Sequence, residues 1–315
     1  MELKYVFRLL SCYTYYNNAQ YINDAIEGAL AQEIKPKEII VLDDGSTDNT
    51  EQVLKIFSKQ IKYKKISNQG CGTARRHAIE LSSQPYIALC DSDDIWQPNH
   101  ISRKIAFIDK NPEFNFLCSN FTSFGPEALE NYTRLAEAPD NWVNQYLTIA
   151  KDNFAIVNEP FPAFLKFNIG FPSGLFIKRT LYNNTGGIRD KFSRSHAEDT
   201  DFTRRAILCD DAKVAIDLQT TWSYRRTGQN MSTVSFKNSI GRAVILQDLL
   251  DSGYIPTIYQ KDVKLRINEC YLEAFRTAYW SGLDKDALSI FKMAENATLK
   301  DKLRYVKSLI KTIKK

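Results

Sequence analysis

The sequence predicts an α/β protein, a mostly parallel sheet flanked by helices with a helical C-terminal appendage. Three observations carry this. Short apolar runs twice lead straight into acidic turns: Glu38-Ile-Ile-Val-Leu42 before Asp43-Asp44, and Tyr86-Ile-Ala-Leu-Cys90 before Asp91-Ser-Asp93-Asp94. Continuous runs of that length fit strands buried on both faces, as in parallel sheets. Around them apolar residues recur at helical spacing, so strand and helix alternate in the manner of βαβ units. From residue 236 onward only helical periodicity is present.

Leu3 to Cys12 reads as the first strand and Tyr13 to Asn18 as a polar, aromatic loop. Ile22, Ile26, Ala29 and Leu30 then mark an amphipathic helix that stops before Pro36. After the second strand at 38–42, Gly45 permits a tight turn, and Ser46, Thr47 or Asp48 can cap a helix running through Val53, Leu54 and Phe57. Ile61 to Ser67 is predicted as a strand and Thr73 to Leu81 as a helix. The strand at 86–90 is followed by a helix reaching residue 108. Phe114 to Phe121 suits a strand, and Pro126 to Asp152 holds helical stretches broken at Pro139. Asn158 to Pro172, rich in Phe and Pro and without a period, reads as a long loop. Ser173 to Lys178 reads as a strand, Gly186-Gly187 as a turn. Phe202, Ala206 and Cys209 define a helix that opens near Glu198. Three helices and a terminal one fill 236–315.

At 315 residues, one large domain with an appendage is the natural division, here 1–232 and 233–315. The balance of 43% hydrophobic and 25% charged residues is that of an ordinary soluble globular protein, and no apolar run approaches bilayer length. The first ten residues carry Glu2, Lys4 and Arg8 and lack a small-residue cleavage site, so they do not read as a signal peptide. Six cysteines without a CxxC pair suggest reduced thiols in a cytoplasmic protein. Residues 299–315 hold seven Lys or Arg against one Asp, which outweighs the whole chain's net charge of +5 and leaves the rest slightly acidic. A nucleic-acid-binding body is therefore disfavoured.

Parallel strands bring their carboxyl ends to one sheet edge, where open α/β sheets bind ligands. Asp43, Asp44, Asp91, Asp93 and Asp94 should share that edge. Clustered carboxylates repel one another unless a positive charge sits among them. Hard oxygen donors suit Mg²⁺ or Mn²⁺, which usually arrive with substrate phosphates. A solvated acidic turn and simple helix capping are the alternative uses of the same residues. In Ser195-His196-Ala197-Glu198-Asp199-Thr200-Asp201-Phe202, acids occupy the first turn of a helix. The dipole favours them there and keeps a carboxylate ionised, as a general base requires. His196 reads as shaping the loop.

The ordered set Asp43-Asp44-Gly45-Ser46, Asn68-x-Gly70 with Ala74-Arg75, Asp91-Ser-Asp93-Asp94, Gly186-Gly187 and Glu198-Asp199-x-Asp201-Phe202 resembles the family 2 inverting glycosyltransferases of GT-A fold, across about residues 3–232. The resemblance implies sugar transfer from a nucleoside diphosphate, most often UDP, to an acceptor hydroxyl on a glycan or glycolipid, in bacterial cell-envelope polysaccharide assembly. It implies nucleotide contacts from Asp43, Asp44, Arg75, Asp91 and Tyr15 or Tyr16, a metal (Mn²⁺ or Mg²⁺) on Asp93 and Asp91, and Asp199 as the base. Asp94, Glu198, Arg225 and Arg226 fall to diphosphate or acceptor contacts. The chain departs from the family pattern at three places: no proline lies in Tyr13 to Asn17, Arg76 follows the Ala-Arg pair, and Thr227 stands where a histidine often does.

Two other classes compete. A nucleotidyltransferase would need a glycine-rich phosphate loop after the first strand, yet the first glycine is Gly28, inside a helix. A binding module that kept the fold and lost catalysis is the other. Phe161, Phe164, Phe167 and Trp142 could stack on a sugar or fill a core. Leu299, Leu303, Val306, Ile310 and Ile313 repeat at spacings of 4, 3, 4 and 3 among basic residues. Such a helix can lie on an anionic membrane at the inner face of the cytoplasmic membrane, or serve as a packing or homodimer contact.

Overall fold

A computed structural model of the chain describes residues 9–195, 197–228 and 235–313. Leu3 to Arg8, His196 and the predicted domain boundary at 232 lie outside them. In 9–15 only the backbone is described.

The chain forms two compact units. The first comprises 1–194 and 202–228, the second 195–201 and 229–315. The first unit alternates β1 (Leu9–Tyr15), α1 (Ile22–Leu30), β2 (Glu38–Asp43), α2 (Thr50–Leu54), β3 (Lys62–Lys65), α3 (Cys71–Glu80) and β4 (Tyr86–Leu89). A two-residue strand β5 (Ile95–Trp96) precedes α4 (His100–Lys110) and β6 (Phe116–Phe124). Then come α5 (Trp142–Tyr146), β7 (Leu147–Ile149), β8 (Phe154–Val157), α6 (Pro160–Lys166), β9 (Phe176–Lys178) and α7 (Arg179–Asn184). β10 (Val214–Arg225) completes the run, preceded by α8 (Glu198–Ile207), whose first four residues count with the second unit.

One sheet runs β3-β2-β1-β4-β9-β6-β10-β8-β7, with β5 on β10. The half β3-β2-β1-β4 is parallel throughout, as predicted, and β6 lies parallel to β10. The other half is mixed, because β9 runs antiparallel to both β4 and β6 and β8 runs antiparallel to β10. Apolar side chains bury β2 on both faces, from Ile39 through Leu42. Edge strand β3, Lys62-Tyr-Lys-Lys65, stays largely exposed, and its lysines discourage a further strand from pairing there.

The structure corrects the sequence reading in two places. Residues 13–15, expected as loop, extend β1 because they pair with 41–43. The expected loop 158–172 contains α6; Pro160 and Pro162 look like breakers but sit in the first turn, where no N–H donor is lost from the helix ladder. Of the two uses open to the four aromatics, stacking on a sugar or filling a core, all four take the second: Trp142 donates Nε1–H to the Ala163 carbonyl at 2.9 Å, and Phe161, Phe164 and Phe167 are buried. The hairpin β7–β8 and helix α7 were too short to leave a period.

The second unit is helical, with α9 (Ser235–Asp251), α10 (Thr257–Trp280), α11 (Asp284–Phe291) and α12 (Leu299–Ile313). Ala274, Phe275, Ala278, Ala287 and Ile290 form its core. Among the described residues no helix is long and apolar enough to cross a membrane.

Candidate active site

The parallel register delivers Tyr15, Asp43 and the residues after Leu89 to one edge of the sheet. Two acidic turns are built there, each fixed by its own hydrogen bonds.

Asp43 ends β2 and is fully buried. Its Oδ1 accepts from the Ser46 N–H at 2.7 Å and its Oδ2 from the Tyr63 hydroxyl at 2.8 Å. Burial, reinforced by that bond to Asp43, pushes the Tyr63 phenol well above its ordinary range. Asp44 is 3% exposed and accepts from the Gln69 N–H at 2.7 Å and the Gly70 N–H at 2.8 Å. The turn between them requires glycine: Gly45 has φ +83°, and a Cβ there would sit 2.8 Å from the Asn68 nitrogen. Asn17, itself left-handed, locks the loop after β1 onto this turn by accepting from the Thr47 N–H at 2.8 Å. Both Asp43 oxygens are thus engaged inside the protein, one by the turn and one by Tyr63. Tyr16 next to this loop is 51% exposed; the Tyr15 side chain lies outside the description.

The second turn hangs on Ser173. Its hydroxyl accepts from the Asp91 N–H at 2.9 Å and donates to Asp94 Oδ2 at 2.6 Å. Its carbonyl accepts from Trp96 Nε1–H at 2.8 Å. Asp94 is 2% exposed, and its Oδ1 takes the Arg225 N–H at 3.0 Å. Burial, with Asp93 and Asp91 adding repulsion, pushes its carboxyl well above the usual range. Asp94 thus holds the turn through both its oxygens. Asp91 pairs instead with Arg75, Nη2 to Oδ1 at 2.6 Å, and is partly open to solvent.

Arg225, at the carboxyl end of β10, is clamped to the same turn. Its Nε donates to the Asp93 carbonyl at 2.8 Å and its Nη2 to Asp24 at 2.6 Å, while the guanidinium lies over Tyr21 and Phe124. It shapes Asp93's surroundings through the backbone. Arg226 rests over the Tyr132 ring at 4.8 Å. Asn18 joins the two turns by donating from Nδ2 to Ser92 Oγ at 3.0 Å.

The loop 68–70 is tied to residues 190–194. Gly70 (φ +94°) leaves no room for a side chain, since a Cβ would lie 2.5 Å from the Ser193 carbonyl oxygen. The Thr73 N–H donates to Ser193 Oγ at 2.7 Å, and Arg194 donates to the Asn68 carbonyl at 2.7 Å. Arg76, one of the departures from the family pattern, forms a bidentate pair with Asp190 at 3.0 Å. Its role is to bind α3 to this loop.

Asp199 sits half-buried in the first turn of α8, between buried Glu198 and Asp201. The later part of the helix is anchored by Arg205, which donates to the Thr185 and Gly187 carbonyls at 2.6 and 2.7 Å. The Gly186-Gly187 turn, with both residues at positive φ, thus presents acceptors to α8.

Ser173 is a site residue that the sequence did not reveal, because a lone serine at a strand entry carries no pattern. Ser173→Ala should leave a buried Asp94 oxygen without its donor and the Asp91 N–H without its acceptor. The expected loss is about 2–3 kcal/mol in denaturant unfolding. A variant within about 0.5 kcal/mol of wild type, the range of neutral surface changes, would show that the bridge holds nothing.

Among the described residues no three His, Cys, Asp or Glu side chains gather as a metal site. Asp91 and Asp93 offer two hard carboxylates instead. Mg²⁺ or Mn²⁺ is commonly held by one or two carboxylates, with water and substrate phosphate completing the shell, so this donor set fits such an ion.

The family model described as Glycosyl transferase family 2 matches residues 12–169. An uncharacterized glycosyltransferase of Rickettsia typhi is 39% identical over 95 residues, which are 30% of this chain and 30% of that protein. The match thus spans under a third of that relative's length. The Escherichia coli UDP-Glc:alpha-D-GlcNAc-diphosphoundecaprenol beta-1,3-glucosyltransferase WfaP is 29% identical over 198 residues, covering 58% of this chain and 75% of WfaP. Among solved structures, S. aureus TarS 1-349 in complex with UDP-GlcNAc aligns with a TM-score of 0.60 at 17% identity, over 96% of this chain and 79% of that one. The mannosyltransferase PcManGT of Pyrobaculum calidifontis, in complex with GDP-Man and Mn²⁺, aligns with a TM-score of 0.59 at 13% identity, over 98% and 81%. At such identities the structural likeness establishes the fold alone, the expected GT-A α/β architecture.

Proposed function

Because the chain belongs to glycosyl transferase family 2, we propose that it moves a sugar from a nucleoside diphosphate, UDP before other nucleotides, to an acceptor hydroxyl on a glycan or lipid-linked glycan, inverting the anomeric carbon. The observation that carries this is the pair of interlocked acidic turns at one sheet edge, where Asp91 and Asp93 stay accessible while Asp43 and Asp94 hold the backbone. WfaP is named for a UDP-glucose donor and a diphosphoundecaprenol-linked acceptor, which supports UDP and a polyprenyl-linked glycan as the substrate classes here. Catalytic work is assigned to residues 1–232, with 233–315 as the helical appendage.

In this reading Asp44 fixes the 69–70 loop beside the base, and Tyr16 flanks it. Arg75 orients Asp91 by direct pairing. Asp91 and Asp93 would hold Mn²⁺ or Mg²⁺, which supplies positive charge to offset that on the departing diphosphate. Arg225 and Asp94 keep the turn from shifting, so orientation is preset before the donor arrives. Asp199 takes the proton of the acceptor hydroxyl as it attacks, its ionised form favoured at the start of α8. A single displacement forms the new glycosidic bond and releases the nucleoside diphosphate.

The test is product release. UDP freed from a panel of UDP-sugars is measured with and without a polyprenyl-diphosphate-linked glycan acceptor. Release from one sugar, accelerated by acceptor, is expected. Tight UDP binding with no release from any sugar, with or without acceptor, would favour the binding-module reading instead.

A further inference from the structure

We propose that α12 is a docking face for an anionic lipid surface. Its apolar stripe is not what packs it onto the protein. Leu299, Leu303, Val306, Ile310 and Ile313 are 74%, 55%, 48%, 47% and 75% exposed. Turning each residue by about 100° places these five within one narrow stripe. The opposite side of the helix is the packed one. Asp301, fully buried, takes a bidentate pair from Arg276 at 2.9 and 2.7 Å, a third bond from Arg304 at 2.9 Å and the Thr298 hydroxyl at 2.7 Å. Ser308, also fully buried, donates to Asp284 at 2.8 Å, and Tyr305 stacks on Phe291.

An amphipathic helix anchored through its polar side is inverted relative to ordinary packing, where the apolar face turns inward. Lys300, Lys307 and Lys311 line one flank of the exposed stripe and Lys302 the other. Trp280, 72% exposed at the end of α10, lies beneath the Arg304 guanidinium at 5.5 Å. An apolar stripe, lysine flanks and an exposed tryptophan match the acyl boundary, the anionic headgroups and the interfacial zone of a bilayer respectively. Charge decides between occupants: a second copy would set lysine flank against lysine flank, whereas an anionic surface neutralises both. α12 and Trp280 carry it, independently of the transfer reading.

The experiment is flotation of the full chain with phosphatidylcholine vesicles and with vesicles that also contain phosphatidylglycerol. Binding to the anionic vesicles only, reduced by salt, is expected. Leu303→Glu/Val306→Glu/Ile310→Glu and Lys300→Gln/Lys302→Gln/Lys307→Gln/Lys311→Gln should each lower the bound fraction at least about ten-fold, with an unchanged melting temperature, because each altered side chain is exposed. Absence of binding by wild type, binding unaffected by either variant, or a dimer in solution that the triple Glu variant splits would overturn the proposal.

Discussion

Asp199→Asn is expected to cut the transfer rate by about 10²–10⁴-fold while donor binding is kept, the range attributed to general-base catalysis. The amide has the shape of the carboxylate but cannot accept the acceptor's proton. The dipole contribution it gives up as a first-turn acid is about 0.3–1 kcal/mol. The measurement is kcat and donor KM side by side, with the melting temperature as a control. A normal kcat would remove Asp199 from the role of base. A fall in donor affinity of the same size as the fall in kcat would make it a binding residue.

The second large effect is expected at Asp93. Asp93→Ala removes a carboxylate and keeps the backbone carbonyl to which Arg225 Nε donates. Metal-dependent donor binding and turnover should fall at least about a hundred-fold, comparable with the loss of one charge-stabilising group from an active site. Asp94→Asn is the contrasting change. Its oxygens serve Ser173 and the Arg225 N–H, so stability should respond and metal dependence should not. Equal effects from the two variants would show that the turn acts as one undivided unit.

The parallel half of the sheet was legible because β2 and β4 are apolar without interruption and end in acids, a pattern that fixes strand type and edge together. The mixed half was legible only at β6 and β9. β5, β7 and β8 are two to four residues long, too short for a period of two to be separated from chance. α6 was hidden by proline placement, and β10 by the register shift between Asp217 and Trp222 that bends it. At the site, the acids were legible as a group but not their division of labour. Asp91-Ser-Asp93-Asp94 looks like equivalent ligands in one dimension. Only the approach of Ser173 and Arg225, 79 and 131 residues away from Asp94, turns Asp94 inward. The tail was legible as amphipathic, whereas its orientation was not: period gives a stripe, and only the buried Asp301 and Ser308 tell which side is packed.

The central claim is that the two acidic turns form a metal-dependent nucleotide site. The most direct measurement is thermal stability of wild type and Asp93→Ala against UDP, GDP, CDP, dTDP and ADP, each with and without Mn²⁺. A ligand at a hundred times its dissociation constant stabilises by about 2.7 kcal/mol, a readily seen shift. A shift with UDP that needs Mn²⁺ and vanishes in Asp93→Ala is expected. No shift with any nucleotide, or one that persists unchanged in Asp93→Ala, would contradict it.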